Sequence, residues 1–397
     1  MAYEYKFQGK TVRLEADPSV LAVRFKDPST KSIRSQATES AGAGPFATRL
    51  EVPDEKITIV PVGPGNRSEV GHSTALKRLN AESAVASATP VFCVGNNAVV
   101  ASDRLLIGTK TPAKIDAIAK KYKLDVLRKE ENEAKLKVTG SEDVFELAQK
   151  IAKEQGVVYA EPDFVTIGKH LPKRTSTSPT ILDAMNAVPT QYAMQITKAL
   201  DAHQIQTAAA QVIVAILDEG VDTSHPDLNM AVTGTFDSID NDSYQEPNSW
   251  DGHGTSCAGL AGGRPQSPYG PRGSGMGCSL FAVRIAYSQV ADGDWITTND
   301  WIAQAIDWSW RNGASVLSNS WGGGAPSNRI SMAFERARRR GRNGLGCVIV
   351  IAAGNEHGPV NFPGTLANGV TVSASNEFDE FKESNFQGWR ELGLLLR

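Results

Sequence analysis

Three residue types, widely spaced, could together perform acyl transfer: a carboxylate at Asp218, an imidazole at His253 and a side-chain amide at Asn355. A serine hydroxyl is a weak nucleophile until a neutral imidazole takes its proton. That imidazole needs a carboxylate on its second nitrogen to fix its tautomer and to stabilise the imidazolium. The amide would donate a hydrogen bond where negative charge develops on the carbonyl oxygen. His253 sits in Trp250-Asp251-Gly252-His253-Gly254-Thr255-Ser256-Cys257-Ala258-Gly259. Glycines beside an ionisable ring permit close backbone approach, and the small residues after it suit a tightly packed helix. A structural histidine in a turn would use the same stretch, so its partners must decide.

Those partners stand at the ends of apolar runs. Val212–Leu217 ends in Asp218, Cys347–Gly354 ends in Asn355, and Ser315-Val316-Leu317-Ser318 leads into Asn319-Ser320-Trp321-Gly322-Gly323. These runs, with Leu280–Ile285 and Val370–Ala374, are continuous rather than alternating, which predicts parallel strands covered on both faces. Helical spacing lies between them, at Asp300, Ile302, Ala305 and Ile306 and, from near Ser327, at Ile330, Ala333, Phe334 and Ala337. Arg336, Arg338, Arg339 and Arg340 read as the solvated face of that last helix. The expectation is an α/β fold with a mostly parallel sheet flanked by helices, and ligands in such sheets bind beyond the carboxyl ends of the strands.

Upstream, residues 1–100 read as a β-rich segment of short strands separated by Gly, Pro and Ser. Residues 101–167 read as strand, helix, strand, strand, helix, strand, a ferredoxin-like α+β unit. Thr111-Pro112 opens its first helix, with Ile115, Ile118, Ala119 and Tyr122 on one face. Ser141 is expected to start the second, with Val144, Leu147, Ala148 and Ile151, before Gly156 stops it. The polar, basic, proline-bearing stretch 168–195 is a linker, where Lys173-Arg174 is either a maturation site or a solvated pair. The incomplete α/β domain is then 196–397.

On these residues the chain resembles the subtilisin-like serine peptidases, the subtilase family. Val214–Asp222 with Thr223–Leu228, Asp251–Thr255 and Ala352–Asn355 are similar to that family's Asp, His and oxyanion-Asn motifs, in the family's order. The ferredoxin-like segment, closing on Val157–Asp163, resembles the family's propeptide. The resemblance implies that Asp218 orients the imidazole, His253 is the general base and Asn355 completes the oxyanion hole. It also implies that Ser320-Trp321-Gly322-Gly323, with Ala353 and Gly354, binds extended polypeptide substrate by strand addition. The chain's own propeptide would be an intramolecular inhibitor. Glu219 departs from the small hydroxyl residue usual after the Asp, which changes local hydrogen bonding.

A second departure is larger. The family's nucleophile sits in a Gly-Thr-Ser-x-Ala-x-Pro type motif well after the Asn, and no such motif follows Asn355; Ser373, Ser375 and Ser384 lack its glycine setting. Ser384-Asn385-Phe386 is similar to the strand before that motif. The expectation is a domain cut before its serine and inactive alone. The alternatives are a non-catalytic peptide-binding pseudoprotease and a truncated fragment without function.

Composition narrows the partners. A formal net charge of -3 with 21% charged residues offers no electrostatic reason for nucleic acid or an anionic membrane as partner. Cys93, Cys257, Cys278 and Cys347 form no CxxC pair and read as small buried residues, although the Cys257 thiol, four residues after His253, would confer mercurial sensitivity if it reached the cleft. No signal peptide or membrane span is evident, which points to a cytoplasmic protein or one exported by an unconventional route. The chemistry requires no cofactor. Asp237, Asp240 and Asp242 crowd one loop that reads either as a structural calcium site or as a solvated acidic turn.

Overall fold

The patterning resolves into two compact units, Met1–Ile167 with Ala325–Asn328, and Gly168–Gly324 with Arg329–Arg397. The structure, a computed structural model, describes residues 3–26, 31–42, 50–52, 56–140, 142–170, 192–266, 272–355 and 358–375.

The first unit is built on antiparallel pairing. Its elements are β1 (Tyr3–Phe7), β2 (Lys10–Phe25), α1 (Lys31–Ser40), β3 (Leu50–Val52), β4 (Ile57–Pro61), α2 (Glu69–Ala81), β5 (Val85–Val94), β6 (Asn97–Thr109), α3 (Pro112–Tyr122), β7 (Leu124–Glu130), β8 (Glu133–Val138), α4 (Val144–Ala152) and β9 (Val157–Gly168). β6 pairs β9 on one side and β8 on the other, and β8 pairs β7, which is the strand order of a split βαβ unit. α3 starts on Pro112, whose missing N–H costs nothing in a first turn, and ends on Lys123 in the left-handed region at φ 53. α4 is capped by Asp143, which accepts from the Phe145 and Glu146 amides at 2.9 and 3.0 Å. Ser141, the expected start, lies outside the described residues. The helices press Ile115, Ile118, Leu147 and Ile151 onto Leu105, Ile107, Leu136 and Phe164, all fully buried. Each such side chain contributes about 1.5–3 kcal/mol.

The boundary expected at residue 100 falls inside β6. The first half of that strand pairs β5 and the second half pairs β8, so 1–100 and 101–167 share one sheet. A strand reads locally as a separator only when its two ends face different neighbours, and no sequence period reports that. The expected linker lies almost wholly outside the described residues.

The second unit holds a parallel sheet. Its elements are α5 (Tyr192–Ile196), α6 (Ala199–Ile205), β10 (Ile213–Asp218), β11 (Val232–Asp237), α7 (His253–Gly262), β12 (Ser279–Arg284), β13 (Tyr287–Ser288), β14 (Trp295–Thr298), α8 (Asn299–Arg311), β15 (Val316–Asn319), α9 (Asn328–Arg340), β16 (Val348–Ala352) and β17 (Val370–Val372). The order is β11-β12-β10-β15-β16-β17 with every pair parallel. Buried Ala215, Ile216, Leu217, Leu280, Ala282, Leu317 and Ile351 explain the continuous runs. β11 had no apolar run to announce it, because Thr233, Gly234 and Thr235 interrupt the pattern.

α8 begins where Thr298 accepts from the Trp301 amide at 3.1 Å. The arginine face of α9 is not uniformly solvated, as expected from its charge. Arg336 and Arg329 both bind Asp307 of α8, at 2.7 and 3.1 Å, with all three side chains largely buried. Burial pushes the Asp307 carboxyl up, but the Arg336 hydrogen bond and the two guanidinium charges outweigh it and hold the group at about 2.

Candidate active site

Register fixes where the chemistry gathers. Leu217 of β10 lies beside Asn319 of β15, and Asn319 lies beside Ile351 of β16. Asp218, Ser320 and the stretch Ala353-Gly354-Asn355 therefore leave the same carboxyl edge of three adjacent parallel strands, the edge where such sheets bind ligands. Gly354 takes φ +103 at the turn out of β16, a conformation that favours glycine. Gly323 takes φ +85, and its amide donates to the Phe362 carbonyl at 2.9 Å, which anchors the Ser320–Gly323 segment.

His253 is the first residue of α7 and reaches the end of β10. Its Nδ1 lies 2.8 Å from Asp218 Oδ1, which also accepts from the Glu219 amide at 2.9 Å. Asp218 is 4% exposed, whereas the imidazole, engaged through Nδ1, is about half exposed. Gly254 makes this approach feasible: a Cβ there would meet the Gly220 carbonyl oxygen at 2.2 Å and Asp218 Cβ at 3.0 Å. Behind the ring, Ala258 and Gly262 bury against Cys278 and Leu280. The small residues after the histidine exist for that packing.

The Asp218 hydrogen bond, with the Cys257 thiol next in effect, raises the imidazole pKa well above its ordinary value. Cys257 is half buried, with Sγ 3.9 and 4.0 Å from the two ring nitrogens. Cys257, expected to be buried, is partly exposed beside the His253 ring, and Cys93 is exposed.

Several further residues support the site. Gln245 is buried and bonds both the Val221 amide (2.8 Å) and the Val221 carbonyl (3.0 Å), holding the loop after β10. The Thr255 hydroxyl accepts from the Asp222 amide at 2.9 Å, tying that loop to α7. Asn248 and Trp250 both donate to the Ser288 carbonyl at 3.0 Å, which fixes the entry to His253 against β13. Thr255, inside the histidine motif, and Trp250, three residues before the histidine, offered a signal, whereas Gln245 and Asn248 offered none.

Glu219 points into a second cluster. Its carboxyl is 5% exposed, and burial first, then Asp251 and Asp218, push it from 4.5 to about 8. His170 Nε2 lies 3.1 Å from Glu219 Oε1 and 2.8 Å from Ser288 Oγ. Sequence reasoning gave His170 no role.

The acidic loop does not gather as a calcium site would require. Asp237 is fully buried and spent on Arg284 (3.2 Å) and the Ile239 amide (2.7 Å), while Asp242 accepts from the Tyr244 amide at 2.8 Å. Among the described residues, the carboxylates of Asp237, Asp240 and Asp242 form no group within common ligating reach.

A strand-end carboxylate hydrogen-bonded to a helix-mounted imidazole on a parallel sheet is an arrangement chemically able to carry out general acid–base transfer. The sequence profile of the Subtilase family matches residues 209–389. Thermitase of Thermoactinomyces vulgaris is 34% identical over 190 residues, 48% of this chain and 63% of thermitase. Subtilisin E of Bacillus subtilis (strain 168) is 28% identical over 245 residues, 59% of this chain and 56% of its own. Fervidolysin of Fervidobacterium pennivorans, a keratinolytic enzyme related to subtilisin, superposes with TM-score 0.51 at 20% identity, over 68% of this chain and 43% of its own, a likeness of fold. Residues 209–389 are thus similar to the Subtilase family, and the fold is the subtilisin-like α/β fold. The chain spans between 43% and 63% of these proteins' own lengths. Among the described residues no helix is long and apolar enough to cross a membrane.

Proposed function

We propose that this domain is the acid/base and substrate-binding part of a serine endopeptidase acting on extended polypeptide. The observation that carries the reading is the 2.8 Å contact between Asp218 Oδ1 and His253 Nδ1 at the carboxyl edge of the sheet. Asp218 holds the imidazole by Nδ1, leaving Nε2 to take the proton of a serine hydroxyl. Asn355, following β16 two strands from β10 on the same edge, donates to the oxyanion. Ser320, Trp321, Gly322 and Gly323 pair with the substrate backbone, with Ala353 and Gly354 beside them. The chemistry needs no cofactor, and the α+β unit ending at Ile167 acts as propeptide and intramolecular inhibitor.

After Asn355 the sequence holds no serine in the family's Gly-Thr-Ser-x-Ala-x-Pro setting, and the Gly254-Thr255-Ser256 run belongs to the histidine motif. Loss of the nucleophile in peptidases of this kind costs about a million-fold in kcat. The purified polypeptide is therefore expected to show negligible hydrolysis of denatured protein, measured as release of acid-soluble peptide. Turnover well above background that disappears in His253→Ala would overturn this reading of the nucleophile. The second reading, a non-catalytic peptide-binding module, rests on the retained Ser320–Gly323 segment, and an upward shift of a cooperative melt on adding peptide would favour it.

A further inference from the structure

His170, Glu219 and Asp251 each bring one ligand-type atom to within 4.8 Å of the others. We propose that these three residues form a zinc site, separate from the Asp218–His253 pair, that fastens the segment carrying His170 to the wall of the catalytic edge. The site lies wholly within the second unit and does not depend on the peptidase reading.

Unmet hydrogen-bonding capacity is the first argument. Glu219 and Asp251 are 5% and 3% exposed, yet Glu219 Oε2 and Asp251 Oδ1 are buried with no hydrogen-bond donor. Burying carboxylate oxygens without a donor or cation is costly, and Asp218 Oδ2 beside them is in the same condition. The nearby guanidinium, that of Arg284, is bound to Asp237. A dication between the two carboxylates removes the deficit.

Geometry is the second. Zinc takes imidazole nitrogen at about 2.0–2.1 Å and carboxylate oxygen at about 2.0–2.2 Å, which sets tetrahedral ligand atoms roughly 3.4 Å apart. The 3.1 Å between His170 Nε2 and Glu219 Oε1 and the 4.8 Å limit on the whole set bracket that spacing. Outer hydrogen bonds already hold one ligand: Asp251 Oδ2 accepts from Asn248 Nδ2 and from the Ser288 amide, both at 3.1 Å, and Oδ1 is the oxygen left without a donor. The His170 side chain is 32% exposed, leaving a path for the ion and a fourth position for water. Calcium, with its six to eight oxygens, fits this one-nitrogen, two-oxygen set poorly.

Asp218, His253 and Cys257 also lie within mutual ligating reach, so the experiment must separate the two clusters. The whole chain, stripped with chelator, is titrated with zinc chloride by calorimetry, and its melting is followed with and without zinc. One ion per chain and a raised Tm are expected, with affinity falling at least ~10-fold in His170→Ala, Glu219→Gln and Asp251→Asn. Binding is expected to persist in the double variant His253→Ala/Cys257→Ser, and cobalt substituted for zinc should show no sulfur-to-metal charge-transfer band. Each variant's metal-free melt reports whether it is folded. Uptake lost with Cys257→Ser, uptake indifferent to His170→Ala in a folded chain, or no uptake by the folded wild type would each overturn the site.

Discussion

Two histidine–carboxylate groups share one edge of the parallel sheet, and adjacent residues, Asp218 and Glu219, belong to one each. In the first, a single carboxylate meets a single imidazole, and the ring is driven toward its charged form. In the second, two buried carboxyls face one imidazole, and the balance reverses. Glu219 is pushed up to about 8 by burial and by Asp251, and burial lowers the His170 pKa despite the carboxylates around it. The side chains are alike, so stoichiometry and burial set the difference. The first group, a matched pair, sets one carboxylate against one imidazole, whereas the second, an unmatched set, sets two buried carboxyls against one.

The largest effect that would break this contrast is at Glu219. Its folded pKa lies above the ordinary 4.5, so the folded state binds more protons between pH 4.5 and about 8. Stability should be greatest below that window and fall as pH rises to about 8, a loss of a few kcal/mol in the metal-free chain. Glu219→Gln should flatten that slope and leave the chain more stable than wild type at pH 8, measured by urea denaturation at pH 5 and pH 8 with chelator present. Equal slopes in both proteins would remove Glu219 as the strained member. A smaller effect is expected from Gly254→Ala, whose Cβ would press on the Gly220 carbonyl and Asp218. The cost should be about 1–3 kcal/mol, read as a lower midpoint of denaturation at unchanged slope. No change would mean that Gly254 does not set the distance between α7 and β10.

The sequence disclosed the matched pair more readily than the unmatched set, for physical reasons. Asp218 ends an uninterrupted apolar run and His253 is framed by glycines, so each carries a local mark of its place at a strand end or helix start. His170 and Ser288 have no such mark, and they meet Glu219 and Asp251 only through tertiary packing. Gln245, which bonds both backbone groups of Val221, was invisible for the same reason. Arg336 sits in a run of arginines that reads as surface, and only the position of Asp307 on the neighbouring helix buries it. The parallel strands were legible from their continuous runs, apart from β11. In the acidic loop, spacing left calcium and a solvated turn open, because it cannot show that Asp237 pairs with Arg284.

The central claim is that Asp218 and His253 work as one acid/base unit. Its most direct test is the titration of the His253 ring, followed by NMR in wild type, Asp218→Asn and Cys257→Ser. The account predicts a wild-type pKa well above the ordinary imidazole value, so that the neutral, proton-accepting form grows in only as pH rises through that raised value. Asp218→Asn should lower it most and Cys257→Ser less, in the order of their contributions. A ring that titrates near the ordinary 6.5 in wild type and does not respond to Asp218→Asn would contradict it.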